Sequence, residues 1–184
     1  MPGSSLWLLP PESHPVNEKL LSLINRTASH FGSTDLFIPH VTLTSDLVEP
    51  SSYGTEPQKW IESLDLPAGG DVKVEFEKLN SEDVYFRKLY IKCQKNEGLK
   101  ALATVCRKQV ADHEDKQLAS KWADETYNPH VNAAGLDETS KLAQEEGVDL
   151  VNRSEGSFWT GGRVVLVTTE KPTSEWKPIA QRVL

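Results

Sequence analysis

The spacing of apolar and polar residues predicts an α+β chain. Ser5 to Leu9 is a short apolar run closed by Pro10-Pro11, which predicts a buried strand ending at the prolines. A helix follows: Pro15 suits a first helical turn, Val16, Leu20, Ile24 and Ala28 form one stripe, and Gly32 stands where a helix stops. Phe37 to Leu43 reads as a strand, Thr55 to Leu64 as a short helix, and Pro67 with Gly69-Gly70 as a loop. Val72, Val74 and Phe76 alternate with Lys73, Glu75 and Glu77, the period of two expected of a strand with one wet face. The turn residues Asn80-Ser81-Glu82-Asp83 connect it to a second strand, Val84 to Cys93, on which Tyr85, Arg87, Leu89, Ile91 and Cys93 share a side. Asn96 then caps a helix on which Leu99, Leu102, Ala103, Cys106 and Val110 recur at helical spacing. Tyr127 to Val131 reads as a strand, Asp137 to Glu146 as a helix and Gly162 to Thr169 as a β-branched strand.

The 184 residues suit one domain, which at this length buries roughly 70% of its unfolded surface and needs neither metal nor disulfides to hold it. Cys93 and Cys106 form no C-x-x-C pair and read as buried thiols, so no zinc ribbon or dithiol site is expected. A net charge of −7, from 20 Lys+Arg against 27 Asp+Glu, argues against a grip on long nucleic acid but leaves room for a small anionic ligand. No apolar run approaches the 18 or so residues of a membrane span. A soluble, intracellular protein without a membrane partner is therefore expected, and the sequons at Asn25 and Asn152 are read as chance matches.

One short repetition falls on the most reactive side chains. Phe37-Ile38-Pro39-His40-Val41-Thr42 and Tyr127-Asn128-Pro129-His130-Val131-Asn132 both read aromatic-x-Pro-His-Val-polar, and their histidines lie 130 − 40 = 90 residues apart, close to half the chain. Residues i and i+2 of a strand point to one face, so His40 projects with Thr42 and His130 with Asn132. Two such strands side by side surround one site with two imidazoles and two hydrogen-bond donors. Imidazole titrates nearest neutrality, so one ring can act neutral as a base and the other protonated as an acid, the division that opening a phosphate ester needs. The Thr42 hydroxyl and the Asn132 amide are the groups placed to donate to phosphoryl oxygens. No metal is required.

At these residues the chain resembles the two-histidine phosphoesterase superfamily, specifically the fungal 2′,3′-cyclic-nucleotide 3′-phosphodiesterases. The resemblance extends to Ser5-Leu6-Trp7-Leu8-Leu9-Pro10, to Val84-Tyr85-Phe86-Arg87-Lys88 and to Gly161-Gly162-Arg163-Val164-Val165-Leu166-Val167 leading to Glu175-Trp176, so it covers nearly the whole chain. It implies one bilobal, pseudo-twofold domain over residues 1–184, with two antiparallel sheets facing a central cleft and helices outside. It further implies cofactor-free and metal-independent opening of a nucleoside 2′,3′-cyclic phosphate to the 2′-phosphate, and of ADP-ribose 1″,2″-cyclic phosphate, a by-product of tRNA splicing. His40 and His130 take acid/base roles and Thr42 binds phosphate. Where the family places Ser or Thr two residues after the second histidine and continues into an apolar strand, this chain has Asn132 followed by Ala133-Ala134-Gly135. Weakened or altered activity is the expected consequence.

With the 2′-phosphate retained, the 3′-oxygen leaves, and the histidines stand on opposite sides of phosphorus. The bound orientation of the ribose, which the sequence does not fix, sets their roles; His130 is taken as the base. Trp159 is placed with the substrate as a ring to stack on a nucleobase, with core packing as its alternative, and Tyr127 is assigned to the core. Arg87 is read as a solvated arginine, and His14, His30 and His113 as surface residues. The expected partner is a small cyclic-phosphate nucleotide, bound by a monomer. Two other classes stay open: an RNA-end enzyme acting on 2′,5′ or cyclic termini, and a non-catalytic nucleotide-binding module whose second motif has decayed at Asn132.

Overall fold

The computed structural model describes residues 3–32, 36, 38–48, 51–80, 82, 89–134, 158–170 and 172–184. Strand β1 (Ser4–Leu9) ends at the two prolines and is followed by helix α1 (Pro15–Phe31). Pro15 occupies the first helical turn, and Gly32 closes the helix in the left-handed region at φ 65° with its N–H on the Ala28 carbonyl. His14 caps the start: its Nδ1 accepts from the Val16 N–H at 3.2 Å. The ring thus satisfies one of the N–H groups that the first helical turn leaves without a partner in the helix.

The chain continues through β2 (Val41–Leu47), α2 (Pro57–Ser63), β3 (Lys73–Asn80), β4 (Leu89–Cys93), α3 (Glu97–Arg107), α4 (Lys116–Glu125), β5 (His130–Ala134), β6 (Phe158–Thr160), β7 (Arg163–Thr168) and β8 (Pro178–Val183). Asn96 caps α3 by accepting from the Leu99 N–H at 3.0 Å. Asp115 caps α4 by accepting from Gln117 and Leu118. The strands stand in the order β6-β3-β4-β5-β2-β1-β7-β8, and each described pair is antiparallel. Four strands lie on either side of the junction between β2 and β5, where Val41 pairs with Val131.

The halves are built alike. In one, β1, α1 and β2 run in sequence and β2 lies beside β1; in the other, β4, α3, α4 and β5 do so and β5 lies beside β4. Each half also lends a helix to the other, since α1 packs on β5 and α3 on β2. Both helices bury their apolar stripes against one face of the sheet. Along that face a straight row crosses the junction: Val164, Leu8, Val41, Val131 and Ile91, each fully buried, pair in turn across β7, β1, β2, β5 and β4. Full burial of such side chains is worth about 1.5 to 3 kcal/mol each, which fixes the register of every strand the row crosses. The opposite face carries a smaller cluster, Trp7, Leu9, Val165 and Val167, with Ile38 and Trp176 packed on it.

Several elements differ from the sequence reading. β2 begins at Val41 and β5 at His130, because Pro39 and Pro129 lack the N–H a ladder needs. Helix α4 and strands β6 and β8 were not predicted; α4 buries little beyond Ala119 and Ala123 and leaves Leu118 exposed, so its stripe is weak. Of the expected strand over 84–93, β4 holds Leu89–Cys93, while 84–88 with Arg87, and the helix over 137–146, lie outside the described residues. Among the described residues no helix is long and apolar enough to cross a membrane.

Gly162, at φ 120°, starts β7 so close to β1 that a Cβ there would lie 2.1 Å from the Leu9 carbonyl oxygen. Gly162→Ala is expected to lower the unfolding free energy by about 3 kcal/mol in urea titration; a change under about 0.5 kcal/mol would contradict this placement of β7.

Candidate active site

The Val41–Val131 pair decides where the two motifs meet. In antiparallel register, one residue further each way sets His40 across from Asn132 and Thr42 across from His130. The valines face the core, so these four residues belong to the opposite face. The sequence repeat is thus brought together in space. His40 is 5% exposed, while Thr42, His130 and Asn132 are half-buried.

Each histidine is held by its own motif. His40 Nδ1 lies 2.6 Å from the Ile38 carbonyl oxygen, and His130 Nδ1 lies 2.7 Å from that of Asn128. A carbonyl only accepts, so Nδ1 carries the proton in both rings, and in the neutral form the lone pair is on Nε2. Proline between carbonyl and histidine fixes the backbone that makes this i to i−2 contact.

The neighbouring strands then distinguish the two rings. Trp7 of β1, the register partner of Thr42, stacks on His40 with ring centroids 3.7 Å apart and planes 9° from parallel. Tyr90 of β4, the register partner of Asn132, meets His130 edge-on at 5.2 Å and 67°. The Tyr90 hydroxyl donates to Glu82 at 2.5 Å and accepts from Asn80 Nδ2 at 2.7 Å. Burial disfavours the charged form of His40, and its pKa falls to about 4: desolvation is the main cause, the Ile38 carbonyl opposes it, and the nearby His130 charge adds to it. The amide oxygen of Asn132 is buried with no hydrogen-bond partner, a group that a bound polar molecule can satisfy.

Trp159 is corrected. It lies on β6, three strands from β5, fully buried in the main core with Phe76 edge-on at 5.8 Å, so no base can stack on it. Tyr127 packs in the core beside Trp122. Sequence reasoning missed Trp7 and Tyr90 as neighbours of the histidines. Their signal was faint: each sits on the strand that precedes a motif helix, and only the register shows which partner it meets. Among the described residues no cluster of three or more His, Cys, Asp or Glu is placed to hold a metal ion.

A family model described as cyclic phosphodiesterase-like protein matches residues 1–184. The chain belongs to this family. The cyclic phosphodiesterase-like chain is 52% identical over 194 aligned positions to a 2′,3′-cyclic-nucleotide 3′-phosphodiesterase of Phaeosphaeria nodorum, covering 100% of both. It is 37% identical to the protein of the same name in Neurospora crassa, again over 100% of both chains. Its fold is similar to that of E. coli LigT complexed with 3′-AMP, at a TM-score of 0.57 and 11% identity over 99% of this chain and 96% of that one. LigT complexed with NADP+ gives the same TM-score at 13% identity and the same coverage.

The depressed pKa of His40 has a sign that stability can read. Below pH 6.5 the unfolded chain takes up a proton on this imidazole and the folded chain does not, so stability falls as pH falls from 6.5 toward about 4. The loss is about 3 kcal/mol over that window. Urea titrations at pH 7.5 and 4.5 are expected to show His40→Gln losing about 2 to 3 kcal/mol less on acidification than the unsubstituted protein. Equal losses would contradict a neutral, buried His40.

Proposed function

We propose that this chain is a hydrolase that opens nucleoside 2′,3′-cyclic phosphates to the 2′-phosphate, using His40 as general base and His130 as general acid. The observation that carries the reading is the matched pair of Pro-His motifs, set on one face by a single register and each with Nδ1 on its own carbonyl. The names of the relatives in Phaeosphaeria nodorum and Neurospora crassa support the same activity.

The roles follow from electrostatics. Burial holds His40 neutral, and the His130 charge adds to the effect, so His40 is taken as the ring that accepts a proton and half-buried His130 as the acid, where the sequence reading took His130 as the base. His40 Nε2 takes a proton from water as the water oxygen attacks phosphorus. The bond from phosphorus to the 3′-oxygen breaks, and His130 Nε2 delivers its proton to that oxygen. Both Nδ1–H groups stay on their carbonyls throughout, so neither ring has to turn.

Thr42 donates its hydroxyl to a phosphoryl oxygen, where charge grows in the transition state. Asn132 serves beside it through its amide, which turned about its last torsion presents Nδ2–H to phosphate. ADP-ribose 1″,2″-cyclic phosphate carries the same strained five-membered ring and opens by the same steps to the 1″-phosphate. The chain acts as one catalytic domain, and the chemistry is complete without a metal.

In EDTA, each 2′,3′-cyclic nucleotide is expected to yield only the 2′-phosphate by chromatography. His40→Ala and His130→Ala are expected to lower kcat by about a thousandfold, and Thr42→Ala kcat/KM by about tenfold or more. A need for added divalent metal would overturn the mechanism. Nucleotide binding without turnover would make the chain a binding module.

A further inference from the structure

We propose that Trp7 is the positioning residue for His40: its indole, stacked flat on the imidazole, and the Ile38 carbonyl on Nδ1 together hold that ring in one plane and cover one of its faces, which sets His40 apart from His130. The inference rests on the reading of the two histidines as an acid/base pair. It adds what tells two otherwise matching motifs apart.

Three observations on the molecule carry it. The contact is close and parallel, 3.7 Å and 9°, and it joins a residue of β1 to one just ahead of β2. The corresponding contact in the other half is not a stack: Tyr90 stands at 67° to His130 and ends in a hydroxyl bonded to a carboxylate. The equivalent positions of the two halves therefore hold different aromatic residues in different poses. Finally, the Trp7 N–H is buried without a hydrogen-bond partner in a residue that is fully buried. Leucine or phenylalanine would fill that site without stranding a donor, which costs about 1 to 3 kcal/mol. The stack on His40 is what an indole offers there and leucine does not.

Trp176 also packs on Trp7, edge-on at 5.8 Å, in the apolar cluster of that face. The charge of His130 acts on His40, and its effect is smaller than that of burial. Trp7 thus holds the ring in place and favours its neutral form at rest.

The test compares the unsubstituted protein with Trp7→Leu and Trp7→Phe. The His40 ring is titrated by NMR, and kcat/KM on a 2′,3′-cyclic nucleotide is followed from pH 4 to 9. In the unsubstituted protein His40 is expected to titrate near 4. In Trp7→Leu the midpoint is expected to rise by one to about two units toward the ordinary 6.5, with the acid limb of kcat/KM moving by the same amount. At neutral pH kcat is expected to fall about tenfold or more while KM changes less than about threefold. Trp7→Phe, which restores an aromatic face, is expected to bring the limb back most of the way. A His40 midpoint near 6.5 in the unsubstituted protein overturns the proposal, even if neither variant folds. A midpoint that stays near 4 in Trp7→Leu, in a variant that is merely less stable, also overturns it. Because the titration needs no turnover, an inactive protein with these midpoints would count against the phosphodiesterase reading and not against the role of Trp7.

Discussion

The pairing of Val41 with Val131 is the contact on which the site depends. It is the register pair that joins the two halves in one sheet. A shift of one residue at this junction would send one histidine to the core face and its valine to the other. The row from Val164 through Leu8, Val41 and Val131 to Ile91 resists that shift, because a slip anywhere along it strands several buried side chains at once. The crossing of α1 onto β5 and α3 onto β2 ties the halves from the same side. The relative placement of the two histidines is therefore set by core packing one residue away, on the opposite face of the sheet.

Symmetry of the backbone is combined with asymmetry of the surroundings. Both histidines have the same preceding proline, the same carbonyl on Nδ1 and the same tautomer. The proposed acid/base pair requires them to differ in proton affinity, and what differs around them is supplied by strands that precede the motifs, Trp7 on β1 and Tyr90 on β4. A buried neutral imidazole costs stability at acid pH, and a buried indole N–H without a partner costs it at any pH. Both costs fall within a few residues of the reacting atoms, where strain and unsatisfied groups tend to serve function.

Local signals made much of this legible in the sequence. Pro15, Gly32 and Asn96 mark helix ends by chemistry confined to one turn, and α1 and α3 lie where they indicate. The repeat around His40 and His130 was legible because a period of two and a Pro-His dipeptide need no tertiary knowledge. Helix α4 was not, since Ala119 and Ala123 bury too little surface to form a pattern, and its Asp115 cap reads as part of a charged stretch. Trp159 was misplaced because a strand of three residues offers no alternation to show its inward side. What tells the two histidines apart was hidden for a deeper reason: the stack on His40 comes from Trp7, on a strand far before its histidine in the chain, and only the register shows which face of β1 meets it.

The most direct test of the account uses a nucleoside 2′,3′-cyclic phosphate in which sulfur replaces the 3′-oxygen, a leaving group that departs without a proton. The acid then becomes dispensable while the base does not. The account predicts that His130→Ala regains most of the unsubstituted rate on this substrate and that His40→Ala stays inactive. Rescue of His40→Ala with His130→Ala inactive would reverse the roles, and equal loss in both would contradict the division of labour between the two histidines.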